Sequence, residues 1–549
     1  MIDSFTGKVN SKTPSRLLLW NCQIRQEYNK WWPNGALAVE NGKIAACGKK
    51  SSVMNKYGDY PDINLKNKTV IPGFNDAHLH FYQLGKDIHS CDLSAVNSLK
   101  EMQNKINKWR QQQKHSSYQL LRAVKLDDSR LDRDRLPTKK ELDKIVNDRP
   151  LLVERICYHA ACVNSRALKQ AEINAHTEDP PGGKIGRNSR GEPDGRLYDS
   201  AVDLIKEKFP APSTADRTGY LKEAGQKCLA RGITSVTADD LGAETNPSKT
   251  LQSYKEYLKA EKPGPRLYIE QRVKDSRDVN WLAENSHPTG WGNTNLRFGP
   301  IKIMLDGSLG AETAALSNTY PGSSNRGELL LETDTLQNLL QQAAANSFLA
   351  DIHTIGDRAI DTVIKAYKNL QEKGEDITPP RLVHCQLPLK EQIEILGREK
   401  FNAIIQPAFM GSDWRQARKK LASDHLKTSY AWKSLQQAGV FLAGSSDAPI
   451  EPVNPLRGIH CAVNRQDINN EPPEKFLPRE KLSVETALDL FTLAGAKISG
   501  ETEIKGSLTP GKTADIAVLN ADPRKIDSKN IIDLQVEKTF LNGEEVYSF

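Results

Sequence analysis

Five segments of the chain each end an apolar, strand-like run on a side chain able to hold a metal ion. They are FNDAHLH with His78 and His80, IKIMLDG with Lys302, LADIHTIGD with His353, RLVHCQL with His384, and VFLAGSSDAP with Asp447. Residues i and i+2 of a strand point to one face, so His78 and His80 can reach one ion without bending the backbone. Imidazole nitrogens and carboxylate oxygens suit zinc and similar divalent ions, and a catalytic site of this kind keeps a position open for water. Each residue alone also has a plainer reading. His353 and His384 are equally readable as satisfied structural groups, Asp447 can cap the turn before Pro449, and Lys302 can pair with a carboxylate such as Asp306. The joint order, with every candidate at the C-terminal end of a successive strand, is what points to a metallohydrolase.

The elements needed to position such a set are present. Apolar, β-branched runs at 69–80, 232–238, 266–273, 299–307, 349–355, 381–387, 402–407 and 440–447 read as eight strands. Helical patterns separate most of them, near 253–261 and at 335–346, 359–374 and 389–400, and a further helix is predicted over 483–500. Strand–helix alternation implies a parallel sheet, and eight units fit a closed (β/α)8 barrel of the α/β class, whose active site lies at the C-terminal strand ends. Both chain ends read as short strands with Asn-Gly turns at 41–42 and 542–543, predicting one small β-sandwich domain built from residues 1–70 and 501–549 around a barrel over 71–500. The stretch after the first strand is too long for an ordinary βα connection and holds its own helices and the strip DPPGGKIGRNSRGEPDG. It reads as an inserted α+β domain over 90–225 that covers the barrel mouth.

Composition removes several other classes. Hydrophobic residues make up 38% and charged residues 26% of 549, and 76 basic against 69 acidic side chains leave a net charge of only +7. No basic block or basic–aromatic strip stands above that background, so nucleic acid is not an expected partner. Met1 to Asn10 lacks an apolar stretch of the signal-peptide kind, and no run reaches the ~18–20 apolar residues needed to span a bilayer. Of eight cysteines only Cys157 and Cys162 lie close together, at the wrong spacing for a CxxC motif, and reduced thiols in a cytoplasmic protein are expected.

Taken together, VIPGFNDAHLH, HAACVNSRAL, IKIMLDGSLGAETAAL, DIHTIGDRA, RLVHCQL, GSSDAPIEPVNPL and GSLTPGKTADIAVL resemble the amidohydrolase superfamily over about residues 15–545. Within it they are most similar to the amidohydrolase-3 branch of YtcJ-like proteins and N-substituted formamide deformylases. That resemblance implies that His78, His80 and Asp447 hold one Zn2+ or other divalent ion and that His353 and His384 hold a second. Lys302 falls where many relatives carry an N6-carboxylated lysine bridging the two; if it is unmodified, a single ion on the five other side chains is implied. The resemblance further implies a metal-activated hydroxide that attacks an amide-like carbonyl, with Asp447 passing its proton to the leaving amine. His159 and Asn164 resemble an insertion-domain motif that binds substrate in this branch, although a core or capping role fits them equally.

Asp306 and Ser308 are placed to orient Lys302, Asp357 reads as the N-cap of a helix over 358–371, and Phe81, Phe409, Trp414 and Trp432 are candidates for an apolar pocket wall. The expected substrate is a small molecule with a linear C–N bond, an N-acyl or N-formyl amine. The alternatives are a cyclic amide or carbamate hydrolase, a deaminase, or a regulatory barrel without chemistry, against which the survival of all five ligand segments argues. Homodimers occur among similar barrels, but no interface is legible in the sequence.

Overall fold

A computed structural model describes residues 16–112, 120–132, 135–156, 158–242, 247–259 and 264–549. The predicted helix near 253–261 is observed as Pro247–Leu258, and its last two predicted residues lie outside the described residues, as do Met1 to Asn10 and Cys157. One compact unit comprises residues up to Tyr82 together with Leu221–Phe549, and a second comprises Gln83–Tyr220.

The first unit contains eight parallel strands in sequence order: β1 Phe74–Leu79, β2 Ile233–Leu241, β3 Arg266–Val273, β4 Leu296–Met304, β5 Ala350–Thr354, β6 Arg381–His384, β7 Asn402–Ile405 and β8 Phe441–Gly444. Nearly every residue of these strands is buried, as expected where helices cover a parallel sheet. The helix Asp357–Glu372 shows the pattern that places such a layer. Its buried Ala359, Ile360, Val363, Ile364, Tyr367 and Leu370 recur every three or four residues and form one apolar stripe. The two edge strands meet through backbone bonds from Asp447 N to His78 O at 3.0 Å and from His80 N to Ala448 O at 2.8 Å. The ends of β1 and β8, which carry three of the candidate ligands, are therefore stitched directly together.

Two predicted elements are divided. The run 69–80 is two strands, because Thr69–Pro72 leaves the barrel and pairs with Gln23–Ile24 and with Ile516–Leu519. Pro72 and Gly73 make the break; a Cβ at Gly73 would lie 2.2 Å from Thr234 Oγ1, so β1 can approach β2 this closely only through glycine. The predicted helix 483–500 is Val484–Leu490 followed by Leu493–Ile498. Between them the Phe491 carbonyl accepts from Asn75 N at 2.6 Å, so β1 captures a group that a continuous helix would have used.

The two chain ends form one continuous hydrogen-bonded sheet. Arg16–Glu27, Lys30–Glu40, Lys43–Lys49, Asp62–Asn64 and Thr69–Pro72 come from one end and Ile516–Leu519, Val536–Leu541 and Glu544–Ser548 from the other. Asn41-Gly42 and Asn542-Gly543 both have positive φ, as a type I′ hairpin turn requires. Leu19, Ile24, Leu37 and Val70 share a core with Leu508, Ile516, Val518 and Phe540, so neither end buries its apolar face alone.

The second unit is α+β. Its six-stranded sheet runs Gly183–Arg187, Pro193–Asp199, Ala160–Val163, Leu151–Arg155, Leu121–Leu126 and Cys91–Asp92. The Pro/Gly-rich strip supplies the antiparallel pair at one edge. A buried ion network crosses this unit: Arg122 donates to Asp87 at 2.7 Å and to Glu154 at 2.5 Å, and Lys206 lies 3.0 Å from Glu154. Burial pushes the Glu154 carboxyl up, but Arg122 and then Lys206 outweigh it and hold the group down at about 2. A lowered folded-state pKa gives stability that is complete above the ordinary range near ~4.5 and lost as pH falls toward the folded value. Glu154→Gln is expected to destabilise this unit by about 3–5 kcal/mol at pH 7, because it leaves a buried cation short of a partner. The difference in melting temperature from wild type should shrink as pH falls from about 4.5 to about 2; a constant difference would contradict the assignment.

Among the described residues no helix is long and apolar enough to cross a membrane. The seven described cysteines are free thiols, and all but Cys47 are buried.

Candidate metal centre

All eight barrel strands or the residues just beyond them deliver a polar side chain to one end of the barrel. β1 supplies His78 and, one residue past its end, His80; β2 supplies Asp239, β3 Glu270, β4 Lys302, β5 His353 and β6 His384. Gln406 follows β7 and Asp447 follows β8. These groups are buried apart from His80, whose side chain is 24% exposed. The backbone is bent where the ligands sit. His384, Cys385 and Asp447 have φ of 78°, 43° and 56°, a conformation that costs a residue with a side chain about 1–3 kcal/mol and persists where the surroundings impose it.

The six predicted ligand positions are brought together. Asp447 Oδ1 lies 3.4 Å from His78 Nε2 and 3.2 Å from His80 Nε2, and His384 Nε2 lies 3.0 Å from His353 Nδ1. The imidazole rings of His78 and His384 are 6.0 Å apart, which joins the two sets. Each imidazole also turns one nitrogen outward to an acceptor. His78 Nδ1 is 3.0 Å from Glu270 Oε2, His80 Nδ1 3.4 Å from the Asp239 carbonyl, His384 Nδ1 2.7 Å from Gln406 Oε1 and His353 Nε2 3.1 Å from the Gly307 carbonyl. An acceptor at one ring nitrogen places the N–H there and leaves the lone pair on the other. The inward atoms that a cation could bind are therefore four ring nitrogens and a carboxylate, grouped as His78, His80 and Asp447 on one side and His353 and His384 on the other. Lone pairs facing one another at about 3 Å repel unless a proton or a cation stands between them. The donor set thus fits a divalent cation, and outer acceptors of this kind are what orient metal-binding histidines.

Lys302 Nζ is buried without a hydrogen-bond partner among the described residues, with its charge facing Glu270 and Asp239. An orphaned buried amine is costly.

Until a cation takes their place, protons on the inward nitrogens of His78 and His80 supply the positive charge that Asp447 requires. Burial raises the Asp447 carboxyl, but hydrogen bonds from His78 and His80 outweigh it and hold the group well below the usual carboxylate range. Burial and the Lys302 charge lower His78, yet Glu270 and Asp447 reverse this and raise it to about 10. Burial pushes His384 down to about 3 and His353 well below its ordinary value, so both are neutral imidazoles at pH 7.

Several residues take places that the sequence did not assign to them. Asp306 does not orient Lys302. Its carboxylate accepts from Ala315 N at 3.0 Å, Ile355 N at 3.0 Å and Gly356 N at 2.8 Å, which anchors the turn following His353. Ser308 accepts from Ala311 N through its hydroxyl and shapes the loop after β4. Asp357 is the first helical residue rather than the N-cap, which is Gly356, and it accepts from Ser317 N and pairs with His425 at 2.8 Å. In the inserted unit, Asn164 is fully buried: its oxygen accepts from Leu151 N and Ala167 N, and its nitrogen donates to Val146 O and Arg149 O. That is the capping alternative, and it leaves no group for a substrate. His159 is exposed and lies 3.1 Å from Asp199. Of the four aromatics, Phe409 stacks on His384 at 5.9 Å. Phe81 packs edge-on against Tyr257, Arg415 and Arg418 lie over Trp414, and Arg465 lies over Trp432.

Asp239, Glu270 and Gln406 were missed. The available signal was a carboxylate or carboxamide inside or just after an apolar strand, in SVTADDL, RLYIEQRV and NAIIQP.

The amidohydrolase family (Amidohydro_3) matches residues 63–547. The chain belongs to that family. This amidohydrolase is 33% identical over 515 residues to YtcJ of Bacillus subtilis (strain 168), covering 93% of this chain and 96% of YtcJ. It is 27% identical over 527 residues to the N-substituted formamide deformylase of Arthrobacter pascens, covering 92% and 94%. An uncharacterised metal-dependent hydrolase from Pyrococcus furiosus has the same fold, with a TM-score of 0.73 and 26% identity over 93% of this chain and 100% of that one. Family membership and the relatives it matches support a hydrolase.

Proposed function

We propose that the protein hydrolyses a linear carbon–nitrogen bond other than a peptide bond, in a small N-acyl or N-formyl amine. The observation that supports this most is the Asp447 carboxylate, held between the inward nitrogens of His78 and His80 and kept ionised there. A base fixed beside the metal position is what amide hydrolysis requires, because water must lose a proton and the departing nitrogen must gain one. The similarity to a formamide deformylase supports the choice of bond.

In this reading His78, His80 and Asp447 would hold one Zn2+ and His353 and His384 a second, with a carboxylated Lys302 as a further ligand. Bound there, the metal lowers the pKa of water toward about 7 and polarises the substrate carbonyl. The chain's own groups do the rest. Asp447 takes the water proton on its carboxylate and delivers it to the leaving nitrogen. The Glu270, Gln406, Gly307 and Asp239 acceptors keep the four rings from turning. Phe409 covers one face of His384 and keeps bulk water from it. The partner is the small-molecule substrate, in the cytoplasm, without nucleic acid or membrane.

A panel of N-formyl amines, N-acetyl amines, a cyclic imide, a carbamate and an aminopurine tests the proposal on zinc-loaded protein. The expected result is kcat/KM for a linear formyl or acyl amine at least about 100-fold above that of the ring substrates. Faster turnover of the cyclic imide or the aminopurine would contradict it.

A further inference from the structure

We propose that Glu270 is a positioning residue that aims the metal-binding nitrogen of His78. The inference rests on the metal reading above. Glu270 lies inside β3, fully buried, where an ionised carboxylate is costly unless something requires it. Its Oε2 is 3.0 Å from His78 Nδ1. Accepting the Nδ1 proton leaves the lone pair on Nε2, the atom that points at Asp447 beside His80 Nε2. The other three histidines have an uncharged acceptor at hydrogen-bond distance on the outward nitrogen: two backbone carbonyls and the Gln406 carboxamide. Carboxylates stand further off from two of them, Asp239 at 3.8 Å from His80 Nδ1 and Asp306 at 3.6 Å from His353 Nε2. His78 has one at hydrogen-bond distance, which also makes the imidazole a stronger donor to the metal.

Direct ligation is the competing role, since donor atoms of His78, Asp239 and Glu270 all lie within 4.8 Å of one another. The surroundings disfavour it. Asp239 is already clasped by the Arg272 guanidinium, through Nε at 3.2 Å and through Nη2. An ion on His78 Nδ1 would also turn the ring's N–H toward Asp447 and withdraw His78 from His80. Lys302 stands on the neighbouring strand β4, in register with Arg272 two residues along from Glu270, and its charge acts on the Glu270 carboxylate, which also meets the Asp351 carboxyl of β5.

The test uses the full-length protein as wild type, Glu270→Gln and Glu270→Asp, with Zn2+ affinity read by chelator competition and ligand set read from the Co2+ absorption spectrum. Gln keeps an acceptor oxygen in place, whereas Asp keeps the charge but draws it out of reach. The expected result is Zn2+ binding within about fivefold of wild type for Glu270→Gln and about 10–100-fold weaker for Glu270→Asp, with the cobalt spectrum unchanged in both. Unchanged affinity in both variants, with only the melting temperature lowered, would overturn the inference in favour of a packing role. An altered cobalt spectrum in both would overturn it in favour of direct ligation. A wild-type protein that binds neither ion would remove the metal reading and this inference together, an outcome distinct from the other two.

Discussion

His78→Ala is expected to abolish metal binding and turnover together. The imidazole joins the two halves of the site, with Nε2 toward Asp447, Nδ1 on Glu270 and its ring 6.0 Å from that of His384. Removing it deletes a donor and leaves Glu270 as a buried carboxylate without its hydrogen bond. Activation of water by the ion supplies most of the rate in this reading, so the expected loss is about 10⁴-fold or more in kcat/KM. Stability falls as well, by about 1–3 kcal/mol for the stranded carboxylate. Elemental analysis and an assay on the same folded sample check it, with circular dichroism to show that the fold survives. Retained turnover at a tenth of the wild-type rate would contradict the mechanism.

Asp447→Asn is expected to separate chemistry from metal binding. The carboxamide keeps an oxygen between His78 and His80 but cannot take a proton from water or deliver one to nitrogen. General acid–base catalysis by a placed side chain contributes about 10²–10⁴-fold, and kcat should fall by that amount. His78 and His80 remain, so metal content should fall much less than in His78→Ala. A kcat within tenfold of wild type would give the proton transfer to another group, and Glu270 would be the first to examine.

Much of the site was legible in the sequence because its ligands lie at strand ends, where local apolar patterning announces the strand and the next polar residue announces its tip. His78 and His80 illustrate this best, since strand periodicity alone puts them on one face. Glu270 and Asp239 were not legible for the converse reason. A single carboxylate within an apolar run has the same appearance whether it pairs with an arginine, as Asp239 does with Arg272, or turns to a histidine two strands away, as Glu270 does with His78. Only the curvature of the barrel, which brings side chains of β3 and β1 together in its interior past β2, distinguishes the two. Asn164 and Asp306 show a different limit. Each sits in a motif that resembles a functional one, and each spends its side chain on backbone N–H groups whose positions are set by elements distant in sequence. The strand boundary at Pro72 and Gly73 was hidden because both halves of 69–80 are apolar, and the half that left the barrel did so to pair with strands of the terminal sheet.

The most direct test of the metal-dependent hydrolase account is the number of ions per chain, measured by elemental analysis on folded protein prepared with zinc and bicarbonate and never exposed to chelator. The account predicts two tightly bound ions when Lys302 is carboxylated and one when it is not, with hydrolysis lost on chelation and restored by zinc. A folded protein that holds no stoichiometric ion and hydrolyses its substrate equally well in chelator would contradict it.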